Sequence, residues 1–149
     1  MGAKAERAKT LFQQGYNCAQ SVAVAFAPEM GLSEETAARL ASAFGGGMGR
    51  MREVCGAVSG MLLVAGMLYG YSDPTSREEK RETYALVQRL AARFRQENGS
   101  IVCRELLGLP AGAVSVSTPE KRTADYYKKR PCPKLVRLAA EILAEKFPE

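Results

Sequence analysis

Apolar residues recur three and four positions apart along most of the chain, and this spacing predicts a series of amphipathic helices. The first helix ends near Gly15, and the second begins at Asn17, where Gln20 completes a capping box. Ser33 caps a third helix, and Ser76 caps a long fourth helix. The stripes predicted to be buried in these helices are, in chain order, Ala5, Ala8, Leu11 and Phe12; Cys18, Val22, Ala25 and Phe26; Ala37, Leu40, Ala41 and Phe44; and Tyr84, Val87, Ala91 and Phe94.

The C-terminal third carries further helix signals. Gly99 ends the long helix, and Ser100 starts a short one. Residues 108–118 are predicted to be a loop. Thr118 opens the next helix, because the proline that follows it is tolerated at a first helical position, and Pro133 begins the final helix in the same way. The buried stripe of that final helix comprises Leu135, Leu138, Ala139, Ile142 and Leu143.

One segment departs from this amphipathic pattern. Residues 45–71 read GGGMGRMREVCGAVSGMLLVAGMLYGY, so a glycine-rich loop with two arginines leads through Cys55 into an uncharged apolar run. The run falls short of the roughly 18 apolar residues of a membrane span, and it predicts a buried central helix at about residues 54–70. Gly56 and Gly60 share one face of that helix and let another backbone approach closely. Tight helix packing explains such an approach, and so does the gathering of Cys55 against other cysteines.

The composition is that of an ordinary globular domain. Apolar residues make up 46% and charged residues 25% of the 149 positions. A chain of this length buries a substantial core without disulfides or metals. We therefore expect one all-α domain over residues 1–149, a bundle of about six to eight helices around the central one.

The net charge of +5 is moderate and gives only weak support to an anionic partner. The dense basic cluster Lys128 to Arg130 follows two tyrosines, and no nucleic-acid motif accompanies it, so we interpret it as a solvated face and expect no nucleic-acid partner. The N-terminal sequence MGAKAERAKTLF is charged throughout and lacks the apolar core of a secretory signal. We expect a cytoplasmic protein without a membrane span, in which thiols stay reduced.

The four cysteines are the main chemical feature of the sequence. Each lies in or beside the first turn of a predicted helix, at Cys18, Cys55, Cys103 and Cys132. A helix start stabilises a thiolate through its free N–H groups and its partial positive charge, which makes the sulfur a better nucleophile or metal ligand. The spacings contain no C-x-x-C pair and match no zinc-finger or ferredoxin pattern, so convergence of the four is an inference about the fold. For any one of them the alternative is a small buried hydrophobe.

The chain contains no histidine, and this absence narrows the chemistry. Ser-His-Asp and Cys-His catalysis, histidine-ligated zinc and histidine-ligated haem are excluded within the chain. Three uses of the cysteines remain open: thiol–disulfide exchange, four-thiolate ligation of an iron–sulfur cluster, and a closed four-cysteine zinc site. A zinc site would be structural, and a chain of this size does not need one to fold.

A CGAxxG motif at residues 55–60 carries a family resemblance. Together with Cys18 in the context GYNCAQSV, the preceding GGGMGR loop, Cys103 and Cys132, it makes the chain resemble the redox-active proteins named for a C-GCAxxG-C-C pattern. The resemblance covers nearly the whole chain, and no characteristic cysteine is missing. It implies a redox role, and the genes of such proteins often lie near transporter genes. A similar domain accompanies certain multihaem cytochromes, which favours electron transfer through an iron–sulfur centre, although this chain has no C-x-x-C-H haem motif.

The sequence therefore supports two alternative functions. In the first, a redox protein works with a protein redox partner, and its redox thiols or cluster ligands are Cys18, Cys55, Cys103 and Cys132. The glycine-rich loop then forms a wall of the site, with Arg50 or Arg52 offsetting thiolate charge. The cofactor-binding candidates are Gly46, Gly47, Gly49, Arg50 and Gly56. In the second, a non-catalytic helical module with a structural metal site or packed cysteines binds a transporter or another protein. The close-packing glycines of the central helix also suit a homodimer.

Overall fold

The helices expected from the periodicity form the architecture of the chain. The structure is a computed structural model and describes residues 2–146. Within that range there is no β-strand, and a single antiparallel bridge joins Val54 to Val102. The predicted all-α fold is confirmed. The helices are α1 Gly2–Gln13, α2 Cys18–Ala25, α3 Ala27–Met30, α4 Glu34–Ala41, α5 Gly45–Met48, α6 Gly56–Tyr69, α7 Arg77–Asn98, α8 Cys103–Leu106, α9 Ala124–Lys129 and α10 Cys132–Lys146, with a 3₁₀ turn at Ser42–Phe44.

Helix α6 is the central helix predicted for residues 54–70. It contacts α2, α7 and α10, and its residues Val58 and Met61 are fully buried. Gly60 lets α2 approach, because a Cβ at this position would lie 2.6 Å from the carbonyl oxygen of Ala19. The tight packing expected of this glycine is present. None of the helices in the described part of the chain is both long and apolar enough to span a membrane.

The N-caps read from the sequence hold three helices at their predicted starts. The Gln20 N–H donates to Asn17 Oδ1 at 2.8 Å, and the Asn17 N–H donates to Gln20 Oε1 at 3.1 Å. Ser33 and Ser76 cap α4 and α7 by accepting the N–H of the residue three positions later. Gly99 ends α7 in the left-handed conformation. These local bonds define helix ends that apolar periodicity alone leaves imprecise.

Two predicted core positions, Leu40 and Tyr84, are wrong, because these side chains are 51% and 53% exposed. Helix α4 packs through its small alanine side chains instead. The predicted core residues that are only partly buried are Phe44, Val87 and Leu138. A helix on the outside of a bundle buries a narrower stripe than its apolar content suggests. The stripe that α7 does bury consists of Leu86, Leu90, Ala91 and Phe94.

The predicted helix starts at Ser100 and Thr118 are also wrong, and α8 begins at Cys103 with Val102 as its N-cap. Helix α9 begins after Thr123, which is its N-cap, and residues 108–123 form one long loop. A proline permits a helix start without enforcing one, and here tertiary bonds hold the chain in another conformation. The Ser115 N–H donates to the Arg50 carbonyl at 3.0 Å. The 108–123 loop is therefore attached to the glycine-rich segment.

Candidate functional site

The four cysteines lie at helix starts that face one cavity. Cys18, Cys103 and Cys132 are the first residues of α2, α8 and α10, and Cys55 is the N-cap of α6. All four are buried free thiols. All four line a cavity of about 560 Å³. The structure thus brings together side chains that are far apart in the sequence.

The cavity also contains the other residues predicted for the site, which are Gly46, Gly47, Gly49, Arg50 and Gly56. Gly56 shows how α2 and α6 bring Cys18 close to Cys55. A Cβ at Gly56 would lie 3.1 Å from the Cβ of Cys18 and 3.2 Å from the backbone nitrogen of Ala19. Both explanations of the glycines in α6 therefore hold: Gly60 allows close packing, and Gly56 allows two cysteine-bearing helix starts to meet.

The glycine-rich segment, which includes the short element α5, is a left-handed turn and not a plain connection, because Gly46 and Gly47 inside α5 have left-handed backbone angles. The φ angle is positive at five consecutive residues, 46–50, and again at Arg52. Three of these six residues carry side chains, and each non-glycine residue in this conformation costs about 1–2 kcal/mol. Gly47 is the most crowded glycine within residues 46–50, since a Cβ there would lie 2.6 Å from the Cβ of Cys103. The turn holds α8 and two arginines against the cavity.

Cys18 and Cys132 are neighbouring thiols whose pKa values move in opposite directions. The interaction between the two side chains lowers the pKa of Cys132 and raises the pKa of Cys18 well above its ordinary value. Burial acts on both thiols by raising the pKa. The charges of Arg130, Arg122 and Arg52 lower the pKa of Cys132 further. Cys132 is therefore the member of the pair that ionises first.

Cys55 is the least exposed of the four cysteines, at 4%. Burial raises the pKa of Cys55 to about 12, although the N–H groups of Ala57 and Val58 donate to its sulfur and act in the opposite direction. Desolvation disfavours the charged form of a thiol, and here it outweighs the helix-start amides. Cys55 is therefore a protonated thiol at neutral pH.

A buried arginine connects Cys103 to the 108–123 loop. Arg52 is 4% exposed, and its Nη1 donates to Cys103 Sγ at 3.6 Å while its Nε donates to Ser115 Oγ at 2.9 Å. Its Nη2 lies 3.9 Å from a carboxylate oxygen of Glu120. A buried charge requires such partners. The sulfur of Cys103 consequently lies beside a positive charge that is fixed in place.

The side chains that the 108–123 loop and α9 bring to the cavity were missed by the sequence reasoning. Arg122, Tyr126 and Arg130 line it together with the cysteines. The basic cluster was predicted to be a solvated face. This prediction is confirmed for Lys128 and Lys129, which are exposed, and it is wrong for Arg130. The Arg130 side chain is 17% exposed and pairs with Glu120. The two tyrosines before the cluster were the available signal, because aromatic rings often pack beside a guanidinium.

The guanidinium of Arg122 is fixed in the cavity wall. Its Nη1 and Nη2 donate to the carbonyl oxygens of Phe12 at 2.6 Å and Tyr16 at 3.0 Å. It also lies 4.2 Å from the ring centre of Phe12 and 5.3 Å from that of Tyr126. These contacts join the end of α1 to the 108–123 loop. They hold a cation close enough to Cys132 to lower the pKa of that thiol.

The arrangement of the four cysteines fits a single metal ion and an iron–sulfur cluster differently. No three Cys, Asp or Glu side chains among residues 2–146 are grouped so that they could hold one metal ion. A closed zinc site needs four ligands around a single ion at about 2.3 Å, so the cysteines would have to move inward to form one. An iron–sulfur cluster takes four thiolates around several metal atoms. The four thiols around one cavity match that donor set.

The fold and the site define an all-helical protein with four buried thiols around one arginine-lined cavity. The sequence profile of the family described as "Putative redox-active protein (C_GCAxxG_C_C)" matches residues 16–146. The chain belongs to this family, and the resemblance that the motif at residues 55–60 carries is confirmed. No curated protein and no solved structure matches the chain. The family description gives a redox class, and the particular chemistry must be argued from the site.

Proposed function

We propose that the protein is a thiol–disulfide redox protein whose reacting pair is Cys18 and Cys132. The observation that carries the proposal is that these two buried thiols start the packed helices α2 and α10 beside one cavity, in surroundings that lower the pKa of Cys132. The thiolate is the form of cysteine that attacks a disulfide sulfur. Cys132 is therefore the attacking sulfur, and Cys18 is the resolving one.

The surroundings of Cys132 support this assignment. It is the first residue of α10, a helix of 15 residues, so its sulfur lies at the positive end of a long helix dipole. Arg130 and Arg122 add positive charge that persists over the whole physiological pH range. Cys55 has helix-start amides but is more deeply buried, and its pKa is raised. The pKa shifts of Cys132 and Cys55 therefore have opposite signs, because Cys132 interacts with Cys18 and with arginines, whereas desolvation dominates at Cys55.

A disulfide substrate would oxidise the pair in two exchanges. The Cys132 Sγ attacks one substrate sulfur, the substrate S–S bond breaks, and a mixed disulfide forms as the first substrate thiolate leaves. Cys18 then gives up its proton and attacks the Cys132 Sγ, which releases the second substrate thiolate. Two electrons pass from the cysteines to the substrate. The proton of Cys18 goes to one product thiolate, and the other product thiolate takes from water the proton that Cys132 released on ionising.

The test is a thiol titration against redox potential, carried out on metal-free protein in dithiothreitol buffers. We expect the wild-type chain to lose two thiols in one reversible two-electron step. Cys18→Ser and Cys132→Ser should abolish that step, whereas Cys55→Ser and Cys103→Ser should retain it. A wild-type chain that stays folded with all four thiols free in oxidising buffer would overturn the proposal, and so would a step that depends on Cys55 and Cys103 instead.

A four-thiolate iron–sulfur cluster is the second candidate, because all four cysteines line the same cavity. The cluster would be held by these cysteines and would supply one-electron transfer. Iron, zinc and acid-labile sulfide should be measured on protein purified without oxygen, together with its visible spectrum. Iron and sulfide with absorbance that bleaches on reduction would support the cluster. Stoichiometric zinc would favour a helical partner-binding module, and metal-free protein would leave the disulfide couple.

A further inference from the structure

The cavity carries more positive charge than the protein itself neutralises. Arg50, Arg52, Arg122 and Arg130 all line it, whereas Glu120 is the one carboxylate that residues 2–146 contribute to its lining. Even with a thiolate on Cys132, two of these positive charges have no counterpart in the cavity wall. Charges of one sign in a cleft with low-dielectric walls attract ligands of the opposite sign.

Two of the four arginines have neutral partners only. Arg52 and Arg130 share Glu120. The Nε of Arg50 donates to the Val116 carbonyl at 2.7 Å, and Arg122 donates to two further carbonyl oxygens. Neither Arg50 nor Arg122 forms an ion pair with a residue in the range 2–146. Carbonyl oxygens orient a guanidinium, but they do not cancel its charge, so both arginines can still attract an anion.

The cavity also provides apolar surface beside this charge. Phe12, Leu106 and Leu135 are part of its lining, and a volume of about 560 Å³ exceeds what a simple inorganic anion needs. Its rim includes the exposed residues Gly15 and Ser117, so small molecules can enter from solvent. A ligand that matches this lining has a carbon body and a negative group.

We infer that the substrate of the Cys18–Cys132 pair is a small organic disulfide that carries carboxylate or sulfonate groups, with one anionic group bound by Arg50 at the cavity wall. This inference rests on the proposed thiol–disulfide function and adds the substrate class. The anionic group positions the substrate disulfide for attack by Cys132. The exchange is the one written above, in which the substrate S–S bond is reduced to two thiols and the enzyme pair becomes a disulfide.

The test compares three disulfide reagents that differ in charge: the dianion dithiobis(nitrobenzoate), neutral dithiodipyridine and dicationic cystamine. Each second-order rate with the reduced protein is divided by the rate of the same reagent with mercaptoethanol, which removes intrinsic reactivity. We expect the normalised rate of the dianion to exceed that of the neutral reagent by about tenfold or more at low salt, and to exceed that of the dication further. The preference should weaken in high salt.

Arg50→Gln should lower the ratio of the dianion's normalised rate to that of the neutral reagent about five- to tenfold. Arg50→Lys keeps the charge and should retain most of the preference. Arg89→Gln is the matched control, since Arg89 is exposed on α7 and does not line the cavity. An unfolded variant is recognisable, because all four of its thiols would react rapidly with every reagent.

The outcomes separate the two proposals. If the neutral reagent oxidises the Cys18–Cys132 pair but the three normalised rates are equal, or if Arg50→Gln behaves like Arg89→Gln, the substrate class is wrong and the thiol function stands. If Cys132→Ser reacts with the neutral reagent as the wild type does, the thiol function itself is wrong.

Discussion

Replacement of Gly47 by alanine tests the geometry that places Cys103 at the cavity. The added Cβ would lie 2.6 Å from the Cβ of Cys103, 2.8 Å from the Cα of Arg52 and 2.8 Å from the backbone nitrogen of Glu53. Two of these atoms belong to the backbone, so no side-chain rotation relieves the clash. The φ angle of +71° adds the left-handed penalty of about 1–2 kcal/mol, and overpacking adds about 1–3 kcal/mol. We expect Gly47→Ala to lower the free energy of unfolding by about 2–5 kcal/mol.

A control glycine separates the two contributions. Gly31 has a φ angle of +68°, nearly the same as Gly47, but a Cβ there meets nothing within 4 Å. Gly31→Ala should therefore show the conformational term alone. The assay is urea unfolding of both variants, with free energies from linear extrapolation. We expect Gly47→Ala to be more destabilising than Gly31→Ala by at least about 1 kcal/mol. Equal losses would refute the packing described for the turn.

Two further predictions concern Cys55 and Asn17. The raised pKa of Cys55 means that the folded chain keeps a proton that the unfolded chain releases, so this contribution to stability is complete below about pH 9 and is lost as the pH rises toward 12. The free energy of unfolding of both Cys55→Ser and the wild type should be measured across that pH window. We expect it to fall less in Cys55→Ser than in the wild type, and the two declines should differ by up to about 4 kcal/mol over three pH units. Asn17→Ala removes the capping box and a bond from Nδ2 to the Ser42 carbonyl at 3.1 Å, and should cost about 1–2 kcal/mol in urea unfolding. Asn17→Asp keeps the acceptor for the Gln20 N–H and should recover much of that loss; an equal loss in both variants would contradict the capping role.

Local signals could predict the helix starts, and through them the position of each cysteine. The Asn17 capping box, the Ser33 and Ser76 caps and the apolar run of α6 all act within a few residues, so they are readable from the sequence. The sequence could also nominate the glycine-rich segment as a wall of the site, because glycine and arginine precede Cys55 there. That this segment is left-handed could not be predicted, since three of its positions with positive φ are not glycines.

Contacts between distant residues could not be predicted. The cavity is completed by Arg122, whose partners Phe12 and Tyr16 lie more than a hundred positions earlier in the chain. The failed helix start at Thr118 has the same origin. Proline chemistry permitted a helix, but the chain between Thr118 and α9 is held by long-range bonds that place Glu120 between two arginines. The clustering of arginines in this cavity was also missed, because composition gives the net charge of the chain but not the position of each charge in the fold.

The left-handed turn at residues 46–50 connects the strain of the backbone with the chemistry of the cavity. Strained conformations persist only where the surrounding structure determines them, and they cluster at functional sites. Here the Glu53 N–H donates to the Gly47 carbonyl at 2.8 Å, and the Cys103 N–H donates to the Glu53 carbonyl at 2.6 Å. These bonds hold the turn in place, and the turn then fixes Arg52 beside the thiol of Cys103.

The same turn contains Arg50, which forms no ion pair with any of residues 2–146, and it leads into the buried Arg52. A connection from α4 to α6 that served only packing would need neither buried arginine nor left-handed residues with side chains. Strain and excess charge therefore coincide at one position, and both oppose stability in the absence of an anion. A thiolate, a thiolate-ligated cluster or an anionic substrate would each offset the charge. We therefore propose that the glycine-rich turn contributes to the function of the site as well as to its scaffold.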